Sequence, residues 1–429
     1  MTSSSSTLPA SPAWSRSRVL GWVLVALVLV FAMVRAVAWS IADDLAYIDP
    51  PAALKVRSEH PVALGSVAEF NWALGRYGIA QGLAKRAMAA SPLNGAGYRV
   101  LALVAAAQGQ AARATDLMQT ALKRTPGDLT ARRWLADRAQ AAGEWHVALP
   151  LQDRLLRQSP EEGSVWFEEW TAHLGEPAVR QAMVPVLAAA PPWREAFLAH
   201  YAQHGAMPTD VDALFAAVLL NSTRNFSKAD ASVWLERLVA DGRWTEAQLR
   251  WQQLSRVVVS GEPGKATAPG NGDHTNAVVN GGFETSPGLP PFDWTLRGSA
   301  GVQVALTAAP GRPGQALRLQ FLGTRSAFSG LQQVVLAAPG RHELHWAYRL
   351  DALNTPRGLR WVANCVPTGT ELGASSLLAG QTPWRDGTLA FEVPAGCPAV
   401  ALRLELAARI PAETQAYGTA WFDDVRLEV

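Results

Sequence analysis

The residues able to do chemistry are few, and they do not converge on a known reaction. His200 and His204 lie at i, i+4 in the stretch His200-Tyr201-Ala202-Gln203-His204. That spacing places two imidazoles on one helix face, but the glutamate that a zinc hydrolase carries between its paired histidines is missing, which leaves a surface or packing pair. His342 and His345 differ in parity, so on a strand they face opposite ways. Glu161-Glu162 and Glu168-Glu169 suit a solvated helix surface. There is no GxSxG, no phosphate-binding P-loop and no GxGxxG. The chain is therefore expected not to be an enzyme. A glycoside hydrolase or its accessory is the one catalytic alternative, because two carboxylates need only meet in space. Cys365 and Cys397 are the two cysteines. In an oxidising compartment they would form one disulfide, pinning two neighbouring strands; otherwise they are two buried thiols.

The compartment is read from the N-terminus. Residues 1–18, rich in Ser, Thr and Pro with no hydrophobic period, are expected to be a disordered cytoplasmic tail. Residues 19–34 (VLGWVLVALVLVFAMV) carry no charge, and after Arg35 the apolar run continues to Ala42. As a helix, 19–42 spans roughly 36 Å, enough to cross a bilayer with some tilt. Arg16 and Arg18 precede it, and Asp43, Asp44 and Asp49 follow. The positive-inside rule puts the N-terminus in the cytoplasm and the bulk outside. For a bacterial chain this means a single-pass inner-membrane protein with a periplasmic body. A signal peptide cleaved near Ala36-Val37-Ala38 is the competing reading, and it exports the same bulk.

With 429 residues, 49% of them hydrophobic and 17% charged, the chain can bury large cores in two or three domains. Lys and Arg number 38 against 36 Asp and Glu, for a net charge of +2, with no dense basic stripe. Nucleic acid is excluded as the main partner.

An internal period dominates the first half. Gly75, Gly109 and Gly143 are each 34 residues apart, as are Pro92, Pro126 and Pro160. Alanines recur in step at 68, 102 and 136 and at 80, 114 and 148, beside Val67, Leu101 and Leu135. Glycine allows a tight turn between two helices, alanine their close approach, and proline ends the pair. These columns resemble the tetratricopeptide repeat family, whose period is 34. The match departs from the family at the fourth position, which is aromatic only as Tyr98, with Leu64 and Arg132 elsewhere. It is clear over 61–161. Past it the period slips to 32 and Pro177 is expected to interrupt a second helix. Residues 241–247 read as another turn and helix start, so irregular repeats are expected throughout 61–256. The resemblance implies a concave groove binding a protein partner, faced by Glu69, Trp72, Arg99, Arg133, Asp137 and Gln140. The same residues would equally make an ordinary solvated helix face.

Residues 257–275 read as a Gly/Pro-rich linker. Beyond it, eight short alternating runs, at 302–306, 316–322, 331–336, 343–350, 359–364, 388–393, 400–406 and 421–429, predict an antiparallel β-sandwich over 276–429. Asn280-Gly281-Gly282-Phe283-Glu284 opens it and Phe422-Asp423-Asp424-Val425 closes it, with Trp294, Trp346 and Trp384 between. This ordered set resembles galactose-binding-like jelly rolls, notably carbohydrate-binding modules. The resemblance implies a structural calcium ion held by Glu284 and Asp423 or Asp424. By strand parity with Val425, Asp423 points inward, where a carboxylate needs a partner. For a polysaccharide ligand, Arg360, Trp361 and Tyr417 are the candidate contacts.

The fold class is thus multidomain α + β: one transmembrane helix, a helical solenoid and a jelly roll. It suits a membrane-anchored extracytoplasmic scaffold that binds a protein partner and a glycan, in envelope or exopolysaccharide assembly or export. A structural organiser with a ligand-free sandwich is the alternative.

Overall fold

The uncharged N-terminal run has only one way to satisfy its backbone without water, and it forms helix α1 (Arg16–Ile48). The computed structural model describes residues 16–222, 226–259 and 277–428. Most of the proposed tail and linker lie outside the described residues. The chain divides into two compact units, 1–158 and 159–429. That division falls inside the helical stretch, after its third regular hairpin.

In the first unit, α1 is six residues longer at its C-terminal end than the 19–42 run. Arg35 and Arg57 sit over the Trp39 ring at 5.3 and 5.0 Å. Asp43 accepts or shares a proton with His60 at 2.7 Å. Asp49 then caps α2 (Pro50–Val56) by accepting from the Ala52 amide. Three helical hairpins follow: α3 (Pro61–Ala73) with α4 (Tyr77–Ala90), α5 (Ala96–Ala107) with α6 (Ala111–Arg124), and α7 (Leu129–Ala141) with α8 (Trp145–Leu156). Gly75, Gly109 and Gly143 adopt φ of +72°, +75° and +74°, the left-handed conformation each turn demands. Ala68, Ala80, Ala102, Ala114, Ala136 and Ala148 are fully buried between helices.

Among the described residues the second unit opens with six α-helices: α9 (Gly163–His173), α10 (Pro177–Ala188), α11 (Arg194–His204), α12 (Pro208–Asn221), α13 (Lys228–Ala240) and α14 (Trp244–Leu254). Pro177 does not interrupt a helix; it opens α10, where its missing N–H costs nothing. Aromatic rings replace the alanine columns here, with Trp170, Trp193 and Phe197 packed at 5.0–6.0 Å.

Ten strands follow among the described residues: β1 (Thr295–Leu296), β2 (Val302–Ala308), β3 (Gln315–Arg325), β4 (Leu331–Leu336), β5 (Gly340–Asn354), β6 (Leu359–Cys365), β7 (Glu371–Ala374), β8 (Gly380–Val393), β9 (Ala399–Leu406) and β10 (Gln415–Glu428). They form two antiparallel sheets, ordered β1-β4-β9-β6-β7 and β2-β3-β10-β5-β8. The short β1 and β7 were not legible as strands. Between the sheets lies one core containing Trp294, Trp346, Trp361, Phe321 and Phe422. Trp251 of α14 donates to the Leu289 carbonyl at 2.9 Å, tying the last helix to the sandwich.

Candidate functional site

The six groove candidates lie on α3, α5 and α7, the first helices of the hairpins. Arg99 bridges two repeats. It donates to Glu69 at 2.7 Å and forms a very short contact with Asp128. Asp128 in turn accepts from the Ala131 amide at 2.9 Å and so caps α7. Burial lowers the Arg99 pKa, but the charges of Glu69 and Asp128 outweigh it and hold it above the ordinary value. Glu69 and Arg99 are therefore cross-links within the array. Trp72 is half-buried and packs against both neighbouring alanine-rich cores. Arg133, Asp137 and Gln140 follow each other on α7 at helical spacing, and each has partners within the chain. Gln140 accepts from Gln152 at 2.6 Å.

In the sandwich, Trp361 corrects the expectation of a sugar platform. Its exposure is 0%, and its ring lies 5.8 Å from Trp346 and 6.1 Å from both Trp294 and Phe422. A residue on that row has no face left for a pyranose ring. Arg360, its neighbour, faces outward and pairs with Glu405 at 2.8 Å and Glu371 at 3.4 Å. Tyr417 is 64% exposed. It lies on β10, in the other sheet from Arg360, so the three candidates do not come together. Beside Arg360 opens a depression of about 740 Å³, bordered by Arg357, Leu377, Arg409 and Ile410, which the sequence did not indicate.

The carboxylates at the ends of the domain do meet. Asp423 is nearly fully buried, yet not by strand parity: the register shifts between Asp423 and Arg426, so Phe422 and Val425 occupy the inward row. Its Oδ1 accepts from the Asp424 amide at 2.8 Å. Desolvation, then the charges of Asp424 and Glu284, push its pKa up to about 6, against the opposing pull of the Asp424 amide hydrogen bond and of Arg312. Glu284 accepts from the Gln315 amide at 3.2 Å. The residue that sequence reasoning missed is Arg312. Its guanidinium lies 3.9 Å from Asp423, contacts Asp424 and covers the Trp384 ring at 5.0 Å. Among the described residues no three His, Cys, Asp or Glu groups are arranged to hold a metal ion. Arg312 supplies the positive charge beside both aspartates.

Cys365 on β6 and Cys397 ahead of β9 are at disulfide distance, with Cα atoms 5.8 Å apart. His200 and His204 stack at 4.3 Å, and burial followed by the His204 charge lowers the His200 pKa. The charge of Glu168 partly opposes that shift.

No protein-family model matches the chain, and no curated protein does. Solved structures do. One is the enzymatically active domain of bacteriophage CBA120 tailspike protein 4, at 16% identity and TM-score 0.26, covering 36% of this chain and 21% of that one. The match thus spans about a fifth of the phage chain. Another is a CBM4 structure, at 16% identity and TM-score 0.26, covering 35% of this chain and 98% of that one. A third is YrrB, a TPR protein with an unusual peptide-binding site, at 12% identity and TM-score 0.25, covering 51% of this chain and 94% of that one. Similarity at this TM-score assigns no function.

Proposed function

We propose that the protein is a membrane-tethered scaffold that presents its helical hairpins to a protein partner. The observation that carries this is the stretch Leu20–Ile48: a 29-residue helix whose apolar window is not buried against protein, while Ala42 and Ala46 toward its C-terminal end are buried. Such a surface is stable only in a bilayer or under a partner. The helix runs through Asp49 into α2 and the packed hairpins. Arg35, over Trp39 near its far end, suits the headgroup boundary. We place the N-terminus in the cytoplasm and the bulk in the bacterial periplasm, serving envelope or exopolysaccharide assembly. Fractionation tests the anchor. The full chain should stay with membranes in alkaline carbonate and leave them in detergent. Release by carbonate, or a mature N-terminus beginning near residue 39, would point to a peripheral or cleaved protein.

On the partner-facing side, Trp72, Arg133, Asp137 and Gln140 form the proposed contact, with Glu69 and Arg99 holding the repeats in register. The burial of Trp361 favours a structural role for the sandwich over a lectin role. A polysaccharide contact would have to use Tyr417 or the depression beside Arg360. In the same domain we propose Arg312 as the resident counter-charge for Asp423 and Asp424, so that calcium would enter only in its absence.

A further inference from the structure

The repeat column Leu64, Tyr98, Arg132 is spaced by 34 residues throughout, and only its third member is charged. Leu64 is fully buried in the first hairpin, while Arg132, at the same place in the third, is buried to 3% exposure. A guanidinium on a core column requires counter-charge or full hydrogen bonding. Arg132 has neither in full. It contacts the Pro126 carbonyl and donates to Gln158 at 3.4 Å, but its Nε is buried with no acceptor. The carboxylate nearest in sequence, Asp128, is already engaged by Arg99.

Arg132 lines a cavity of about 630 Å³ between α6, α7 and α8. Lys123, Arg138 and Arg154 line it as well, and none of these three is ion-paired among the described residues. One carboxylate, Glu144, is present against these four cations. Leu122, Leu135 and Leu151 supply an apolar wall. Burial, and then the nearby charge of Arg154, lowers the Arg132 pKa, against the smaller opposing charge of Asp128. The cavity uses the second helices α6 and α8 and is thus distinct from the face bearing Arg133 and Gln140. Its size and its mixture of apolar wall and convergent charge suit a small ligand.

We propose that this cavity binds an organic anion with a compact apolar body, its carboxylate or phosphate held by Arg132 and Arg154 and its body against the three leucines. The test is calorimetric titration of the full chain in lipid nanodiscs with 3-phenylpropanoate and with phenyl phosphate. The uncharged 3-phenylpropan-1-ol serves as control. Saturable one-to-one binding of either anion is expected, and which one binds tighter identifies the head group. Arg154→Glu places a carboxylate at the rim from an exposed position and should weaken binding by about tenfold or more; Arg132→Met should do the same while filling similar volume. If Arg132→Met does not fold, Arg154→Glu decides alone. No saturation by either anion below about 10 mM, equal binding of the alcohol, or unchanged binding in Arg154→Glu overturns the proposal.

Discussion

Replacing Trp361 by alanine should unfold the sandwich long before it disarms a ligand site. The indole is fully buried and meets three other aromatic rings within 6.1 Å. Truncating a buried Trp costs about 3–5 kcal/mol through lost transfer energy and the cavity left behind. That is a large share of the ~5–15 kcal/mol that holds a domain together. At about 2–4 °C per kcal/mol for a unit of this size, the melting temperature should fall by roughly 6–20 °C. The indole Nε1 is buried without an acceptor, so Trp361→Phe breaks no hydrogen bond and removes an unsatisfied donor. It should cost only about 1–2 kcal/mol. Calorimetry and near-ultraviolet circular dichroism of the full chain and both variants measure this directly. If Trp361→Ala melts within about 2 °C of the parent and instead loses polysaccharide binding, the burial argument fails.

Asp423 gives the sandwich a pH signature. Its folded pKa, about 6, lies above the ordinary 3.8, so the stability it contributes is fully present below pH 3.8 and is lost as pH rises through 6. The span corresponds to about 3 kcal/mol, so Asp423→Asn should stabilise the domain at pH 8 by about that much more than at pH 3.5, read from melting curves. Calcium should leave the parent's melting temperature unchanged and raise that of Arg312→Met; stabilisation of the parent by calcium would show that the ion displaces the guanidinium. Arg99→Ala strands the Asp128 carboxylate, which is 3% exposed, and should cost about 2–3 kcal/mol in urea unfolding. Cys365 and Cys397 are 32 residues apart, so their bridge restricts the unfolded chain by about 3–4 kcal/mol, and Cys365→Ala with Cys397→Ala should lose that margin under oxidising conditions only.

The helical hairpins were legible because each turn needs a residue that tolerates positive φ and each helix crossing needs a small one. Gly75, Gly109 and Gly143 with the alanine columns record both requirements at one period. The later helices bury Trp170, Trp193 and Trp234 where the regular hairpins bury alanines, so the alanine columns that carry the period do not continue there. Trp361 was misplaced although its parity carried the answer. It shares a strand face with Leu359 and Cys365, and all three are buried. Asp423 is buried but does not share the inward row of Val425 that parity predicted, since parity does not survive the register shift beside Asp424. Arg312 left no local trace, because it meets Asp424 across 112 residues of chain. Its role is a property of the loop's path and not of any motif.

The α7 face bearing Arg133, Asp137 and Gln140 is the proposed meeting point with a protein partner at the membrane. A photocrosslinking amino acid at Asp137, compared with one at Gln119 on α6, tests it in intact cells of the native host. One discrete membrane-associated adduct is expected from Asp137 and none of that mass from Gln119. Equal adducts from both positions, or none from Asp137, would contradict it.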